Sequence, residues 1–217
     1  MNYTGTIYRP PFEANSLLLQ VTEGCSHNKC AFCYMYPDIP FRICPMEQIK
    51  KDIAEASTKW PNVERVFLEN GDAFVLNADL LEEIAKEIHA KLSKVKTISM
   101  YASIQNIKSK SDEDLRRIQS LGINQLDIGV ESGLDSTLAY MKKGYTSQEA
   151  ITQLLRLNEA GIDYCLNIIL GGGGKENYRE NALETAKLIN QTQPYMIFMG
   201  TLHANKGCEL FEDMQSG

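Results

Sequence analysis

An α/β fold built on a parallel sheet is what this sequence predicts, on three observations. Six short apolar runs alternate with helical stretches in units of about thirty residues or more, the spacing of a strand–helix–strand crossover. Runs such as Asn167-Ile-Ile-Leu170 are close to continuously apolar, as strands covered on both faces must be. A length of 217 residues with 43% hydrophobic content is enough for one domain with a sizeable core.

Residues 1–16 carry Pro10-Pro11 and read as an irregular lead-in. Residues 17–21, Leu-Leu-Leu-Gln-Val, form the first buried strand. Pro37, Pro40 and Pro45 then keep the chain extended, and 46–59 has helical periodicity with Pro45 just ahead of its start, where a missing N–H costs nothing. The second strand is 63–69, followed by an amphipathic helix over 79–92. The third strand, 95–101, leads to a helix over 111–121 that opens on Ser111-Asp-Glu-Asp, a capping signature, and stops at Gly122. The fourth strand is 125–130, the next helix 146–160 closed by Gly161, and the fifth strand 164–170. A helix over 176–191 and a sixth strand over 195–202 complete the pattern. Phe211-Glu-Asp-Met-Gln-Ser-Gly217 reads as a helix cut short, so a substrate-side segment is expected to follow residue 217 in a longer chain. Six such units leave open whether the sheet curls into a barrel or stays doubly wound.

A net charge of −6 offers no basic field for nucleic acid. No apolar run approaches the roughly eighteen residues of a membrane span, and the start Met1-Asn-Tyr-Thr-Gly-Thr lacks the basic and apolar segments of a signal peptide. A cytoplasmic location is expected, and there six cysteines read as thiols and metal ligands rather than as a disulfide framework.

Half of those cysteines fall in Cys25-Ser-His-Asn-Lys-Cys30-Ala-Phe-Cys33, on the loop after the first strand. The spacing lets three thiolates close around one metal centre, whereas a disulfide would leave one over. Three ligands suit either a cluster with an open coordination position or a zinc ion with a fourth ligand from elsewhere, for which His27 is nearest. Zinc sites more often use two separated pairs of ligands, and no second pair is present.

In barrel-type folds polar chemistry collects at the carboxyl ends of strands. After the second strand comes Asn70-Gly71-Asp72, which is also an ordinary turn sequence. After the third come Ser103 and Gln105-Asn106. The fourth ends in Gly129-Val-Glu131-Ser-Gly133, and strand alternation sends Asp127, Gly129 and Glu131 to one side. A carboxylate such as Asp127 inside a narrow barrel must find a partner or stay unionised. Lys143 follows in Met141-Lys-Lys143-Gly-Tyr-Thr146, where a solvated lysine is the plain alternative. Gly171-Gly-Gly-Gly174 lacks the Lys-Ser/Thr of a phosphate-binding loop, because Lys175 is followed by Glu176. Thr201, His203 and Asn205 close the series, with His203 as a substrate contact or simply an exposed side chain.

Taken in order, over roughly 17–210, these motifs resemble the radical S-adenosylmethionine (radical SAM) enzymes, whose signature is three cysteines after the first barrel strand with an aromatic residue, here Phe32, before the third. The family usually has three residues between the first two cysteines; this chain has four. The resemblance implies a six-stranded parallel partial (β/α)6 TIM-type barrel, with 1–217 a single radical SAM core domain. It implies a [4Fe-4S] cluster on Cys25, Cys30 and Cys33, and S-adenosyl-L-methionine on the fourth iron. Phe32 and Tyr34 would lie near the adenine, Asn70, Gly71 and Asp72 at the amino group as a variant of Gly-Gly-Glu, and Ser103 within hydrogen-bonding reach. Glu131 would serve the ribose, Lys143 the methionine carboxylate, and Gly171 the adenine face. The implied reaction is reductive cleavage to a 5′-deoxyadenosyl radical that takes hydrogen from a substrate, with a low-potential donor such as flavodoxin or ferredoxin supplying the electron. The fourth-strand and 141–146 segments resemble those of oxygen-independent coproporphyrinogen dehydrogenases and methylthiotransferases. A small-molecule substrate is expected, with no nucleic acid or membrane partner. Cys44, Cys165 and Cys208 are read as ordinary thiols. The competing class is a zinc-stabilised, non-catalytic α/β binding domain.

Overall fold

The structure is a computed structural model and describes residues 1–36 and 38–216; Pro37 and Gly217, both part of the expectations above, lie outside the described residues. Strands β1 (Leu17–Gln20), β4 (Arg65–Glu69), β5 (Thr97–Ala102), β6 (Ile123–Glu131), β7 (Asp163–Leu170) and β8 (Met196–Thr201) form one sheet, and β2 (Thr22–Glu23) pairs with β3 (Arg42–Ile43) in a separate ribbon. The six-stranded sheet runs β1-β4-β5-β6-β7-β8, every neighbouring pair parallel. Sheet order follows chain order without reversal. A doubly wound sheet reverses at a switch point, so this winding is that of a barrel, left open between β1 and β8.

The main helices form where caps and apolar stripes coincide. In α2 (Ala78–Lys91) the Asn77 side chain accepts from Leu80 N at 2.9 Å. Reciprocal capping boxes start α4 (Asp112–Ser120) through Ser111 and Asp114, and α6 (Ser147–Ala160) through Thr146 and Glu149. With α1 (Met46–Lys59) these helices press Ile53, Leu81, Ile84, Leu115 and Leu154 onto the outward-facing Val66, Leu68, Ile98, Met100, Leu126 and Ile128, all fully or almost fully buried. The core therefore lies between sheet and helices. α7 (Gly174–Gln191) and α8 (Glu209–Ser216) complete the order. Two short helices, α3 (Ile104–Lys108) and α5 (Asp135–Tyr140), were not expected, because at five and six residues neither shows a helical period.

The opposite face of the sheet carries a different chemistry. Phe67 and Tyr101 meet edge to face at 5.2 Å, beside Ser99, Gln125, Asp127 and Asn167. The lead-in reaches in among them through a single turn, Pro11–Glu13. Glu13, 1% exposed, accepts from Arg65 Nη2 at 2.7 Å and from Ser99 Oγ at 2.8 Å, and Arg65 also donates to Gln125 Oε1 at 2.7 Å. Those partners lie toward the amino ends of their strands, so the lead-in plugs that end of the barrel and leaves the carboxyl end for the site. Among the described residues no helix is long and apolar enough to cross a membrane.

Candidate active site

Residues 25–33 sit on a loop that is braced at several points. The β2–β3 ribbon pairs Thr22 with Ile43 and Glu23 with Arg42, holding together the chain that enters the loop and the chain that follows it. Thr22 Oγ1 accepts from Asn70 N at 3.0 Å, tying that ribbon to the end of β4. Inside the loop, Ser26 Oγ donates to Asp72 Oδ2 at 2.6 Å, and Asn28, at φ 41°, donates from Nδ2 to Tyr36 O at 2.8 Å. On the other side His27 Nε2 lies 2.7 Å from Lys142 O, and Ala31 N donates to Met141 O at 3.1 Å. The loop is thus clamped between the end of β4 and the turn after α5. Its three thiols are partly buried, unpaired, and line one cavity of about 440 Å³.

The cavity wall supplies opposed charges. Lys143 Nζ stands 3.2 Å from Glu131 Oε1, with the two side chains 11% and 9% exposed, and 5.8 Å from the centroid of the Phe32 ring. Burial opposes the ammonium charge, but Tyr145 and Glu131 beside it hold Lys143 above its ordinary value. Burial likewise resists ionisation of Cys30, yet Lys143 and a hydrogen bond from His27 outweigh it and lower that thiol. Cys25 is pushed up to about 11, chiefly by burial, and burial also raises Cys33.

Alternation along β6 does not account for Glu131. The register with β7 shifts between Gly129 and Glu131, and Glu131 takes a left-handed backbone at φ 69°, which a non-glycine residue adopts only under strong local constraint. That bulge, rather than the pleat, turns the carboxylate into the cavity.

Of the residues expected at the site, Cys25, Cys30, Cys33, Phe32, Gly71, Asp72, Ser103, Glu131 and Lys143 all line this cavity. Three do not reach its wall. Asn70 is 1% exposed and its side chain is taken up by Tyr36 Oη at 2.6 Å and Thr6 O at 3.3 Å. Tyr34 points away and is 48% exposed, and Gly171 faces Leu202 instead. Nor do Thr201, His203 or Asn205 form part of the wall. At Gly71 a Cβ would lie 2.4 Å from Cε2 of Tyr36, so glycine there admits that buried ring. Asp72 accepts from both Ser26 and Asn106, and so braces the loop as well as lining the cavity. Sequence reasoning missed Asn167, Tyr36 and Tyr101 as wall residues, since nothing in their local sequence marks them.

Glu69, at the end of β4, is fully buried with neither carboxylate oxygen partnered. Burial pushes it up to about 8, against the opposing charge of Arg9. A raised carboxyl keeps its proton when folded and loses it when unfolded, so unfolding is favoured as pH rises from the ordinary 4.5 to about 8 and the effect levels off beyond. Stability is expected to fall across that window by as much as a few kcal/mol, and Glu69→Gln should flatten the slope. Urea midpoints at both ends of the window check this; parallel slopes for the two proteins would refute it.

Among the described residues no three His, Cys, Asp or Glu side chains are gathered closely enough to hold a single metal ion, so the zinc reading gains no support. Comparison with known proteins agrees with the geometry. The family model of the Radical SAM superfamily matches residues 19–186. The chain is similar to a tRNA-2-methylthio-N(6)-dimethylallyladenosine synthase of Marinomonas sp. (strain MWYL1), 26% identical over 84% of this chain and 41% of that protein. It is also similar to the heme chaperone HemW of Bacillus subtilis (strain 168), 24% identical over 60% of this chain and 35% of that one. Among solved structures it resembles the radical S-adenosylmethionine methyltransferase TsrM of Kitasatospora setae, solved with cobalamin and a [4Fe-4S] cluster, at a TM-score of 0.74 and 15% identity over 93% of this chain and 37% of that one. The chain thus spans well under half the length of each of these three proteins.

Proposed function

The chain belongs to the Radical SAM superfamily, and from that membership we propose that Cys25, Cys30 and Cys33 hold a [4Fe-4S] cluster in the cavity at the carboxyl end of the barrel. Enzymes of this family use such a cluster together with S-adenosylmethionine, and this chain is one of them. We propose further that residues 1–217 act as one core domain.

The observation that carries the reading is the donor set itself. Three free thiols share one cavity, and among the described residues no fourth cysteine lines it. Three such ligands suit a cluster that takes one thiolate at each of three corners and keeps the fourth open. When bound, the cluster supplies the electron that cleaves the sulfonium of S-adenosylmethionine to methionine and a 5′-deoxyadenosyl radical.

The protein's own groups then have separate tasks. His27, Asn28 and the ribbon fix the loop before any ligand arrives, so the thiols lose little freedom on binding. Lys143 brings a positive charge beside Cys30, which favours its thiolate and balances the negative charge gathered by three such ligands. In pairing with Glu131, the same ammonium keeps both groups oriented toward the cavity; they are placed to receive the carboxylate and the hydroxyls of the bound cofactor. Phe32 offers its ring face near that charge, and Ser103 and Asp72 add polar contacts on the wall. Tyr8, Tyr36, Tyr101 and Phe198 add aromatic surface to the wall, which helps to restrict water.

A substrate of small-molecule size fits this enclosure, and the acidic chain, at −6, gives no field for a polyanion. The electron donor is proposed to be a flavodoxin or ferredoxin. Anaerobic reconstitution with iron and sulfide is expected to give a brown protein that, once reduced, converts S-adenosylmethionine to 5′-deoxyadenosine and methionine. A colourless protein that holds one zinc and leaves S-adenosylmethionine intact would overturn the proposal.

A further inference from the structure

Deeper in the barrel, one full pleat before Gly129 on β6, the cavity wall holds a carboxyl group that the proposed reaction does not use. Asp127 is 3% exposed. Its Oδ1 accepts from Asn167 Nδ2 at 2.9 Å, across the β6–β7 pair, while Oδ2 has no hydrogen-bond partner. Both residues line the cavity. A buried carboxyl oxygen left without a partner costs free energy, and such a group in a ligand-sized cavity is accounted for when a ligand completes it.

The surrounding charges say what kind of ligand. Of the carboxylates in and below the cavity, Asp72 is held by Ser26 and Asn106, while Glu13 comes from the plug, Asp127 from the middle of β6 and Glu131 from its end. Arg65 pairs with Glu13 at 2.7 Å, and Lys143 pairs with Glu131 at 3.2 Å. Asp127 has no ion pair among the described residues. Burial pushes it up to about 7 against the bonds from Asn167 and the neighbouring Cys165 thiol, and Glu13 and Glu131 push the same way. The same cavity wall carries Tyr101, Ile169, Phe198 and Tyr8, with Arg9 beside Tyr8 in the lead-in.

We propose that Asp127, oriented by Asn167, is the substrate-recognition residue of this enzyme, and that its free Oδ2 receives a protonated amine carried on an apolar or aromatic body. This rests on the reading of the cavity as the radical site. The ammonium gives Asp127 the cation that no ion pair of the described residues supplies, and its N–H satisfies the orphaned oxygen. Asn167 sets the plane of the carboxyl, and the aromatic wall covers the rest of the molecule.

The test uses the reconstituted protein with S-adenosylmethionine present and three probes of similar shape: phenethylamine, 2-phenylethanol and 3-phenylpropionate. Calorimetric titration is expected to show the amine bound at least about tenfold more tightly than the alcohol, the increment of a charge-assisted hydrogen bond, and the acid bound least. Asp127→Asn should bring amine and alcohol to within a factor of about two; should that variant not fold, Asp127→Ser is expected to show the same loss. Equal binding of amine and alcohol by the unaltered protein overturns the inference, as does an amine preference that survives in either variant. Weakened S-adenosylmethionine binding with the amine preference intact also overturns it, since Asp127 would then serve the cofactor. Measuring 5′-deoxyadenosine in the same preparations separates the two ideas. A protein that makes it yet shows no preference loses only this inference, and one that makes none fails at the earlier reading.

Discussion

Cys30→Ala is expected to give a folded protein that retains less iron after reconstitution and cleaves S-adenosylmethionine at least about a thousandfold more slowly, a loss of roughly 4 kcal/mol in barrier terms. The fold should survive because Cys30 belongs to the braced loop and not to the apolar core. The clamps on that loop are made by Ser26, His27, Asn28 and Ala31 to groups other than the thiol, and only His27 bonds Cys30 as well. A change in stability below about 1 kcal/mol is therefore anticipated. The activity has no such substitute, since Cys25 and Cys33 would be two ligands where the proposed cluster needs three, and no other cysteine lines the cavity among the described residues. Iron content, circular dichroism and chromatographic detection of 5′-deoxyadenosine check the three parts together. Full iron loading with undiminished cleavage in the variant would remove the basis of the site.

Lys143→Met should be the most destabilising single change at the site. The ammonium is almost enclosed and its partner Glu131 more so, and removing one member of such a pair leaves the other charge buried without compensation. A cost of about 3–5 kcal/mol is expected, and S-adenosylmethionine binding should weaken as well. Adding Glu131→Gln should return a large part of the stability but none of the binding, because the double variant removes the stranded charge without restoring a cation. Urea denaturation of the two single variants and the double variant measures the coupling. If the two single losses simply added, the pair would not act as a unit.

Much of the barrel was legible in the chain because burial dictates it locally. Strands covered on both faces must be apolar throughout, as 164–170 is, and helices announce themselves by caps such as Ser111 with Asp114 and Thr146 with Glu149. The cysteine trio was equally plain, since its spacing lies within nine residues. What escaped was set by contacts between distant parts of the chain. Glu13 looked like part of an irregular lead-in, and nothing around it foretells the bonds to Arg65 and Ser99 that make it a plug. The two-residue strands β2 and β3 are too short to carry a period, yet they hold the cysteine loop in place. Simple alternation put Glu131 on the correct side for the wrong reason, because the bulge after Gly129 breaks the pleat before Glu131 is reached.

By itself the sequence determined the succession of strands and helices and the presence of three clustered thiols after the first strand, since both follow from the types and spacing of near neighbours. Tertiary structure alone decided which side chains share the cavity: Lys143 with Glu131, Asp127 with Asn167, and Tyr36 against Gly71. Strand register, a bulge and the packing of a distant segment govern those meetings, and each depends on the whole sheet being curled around it.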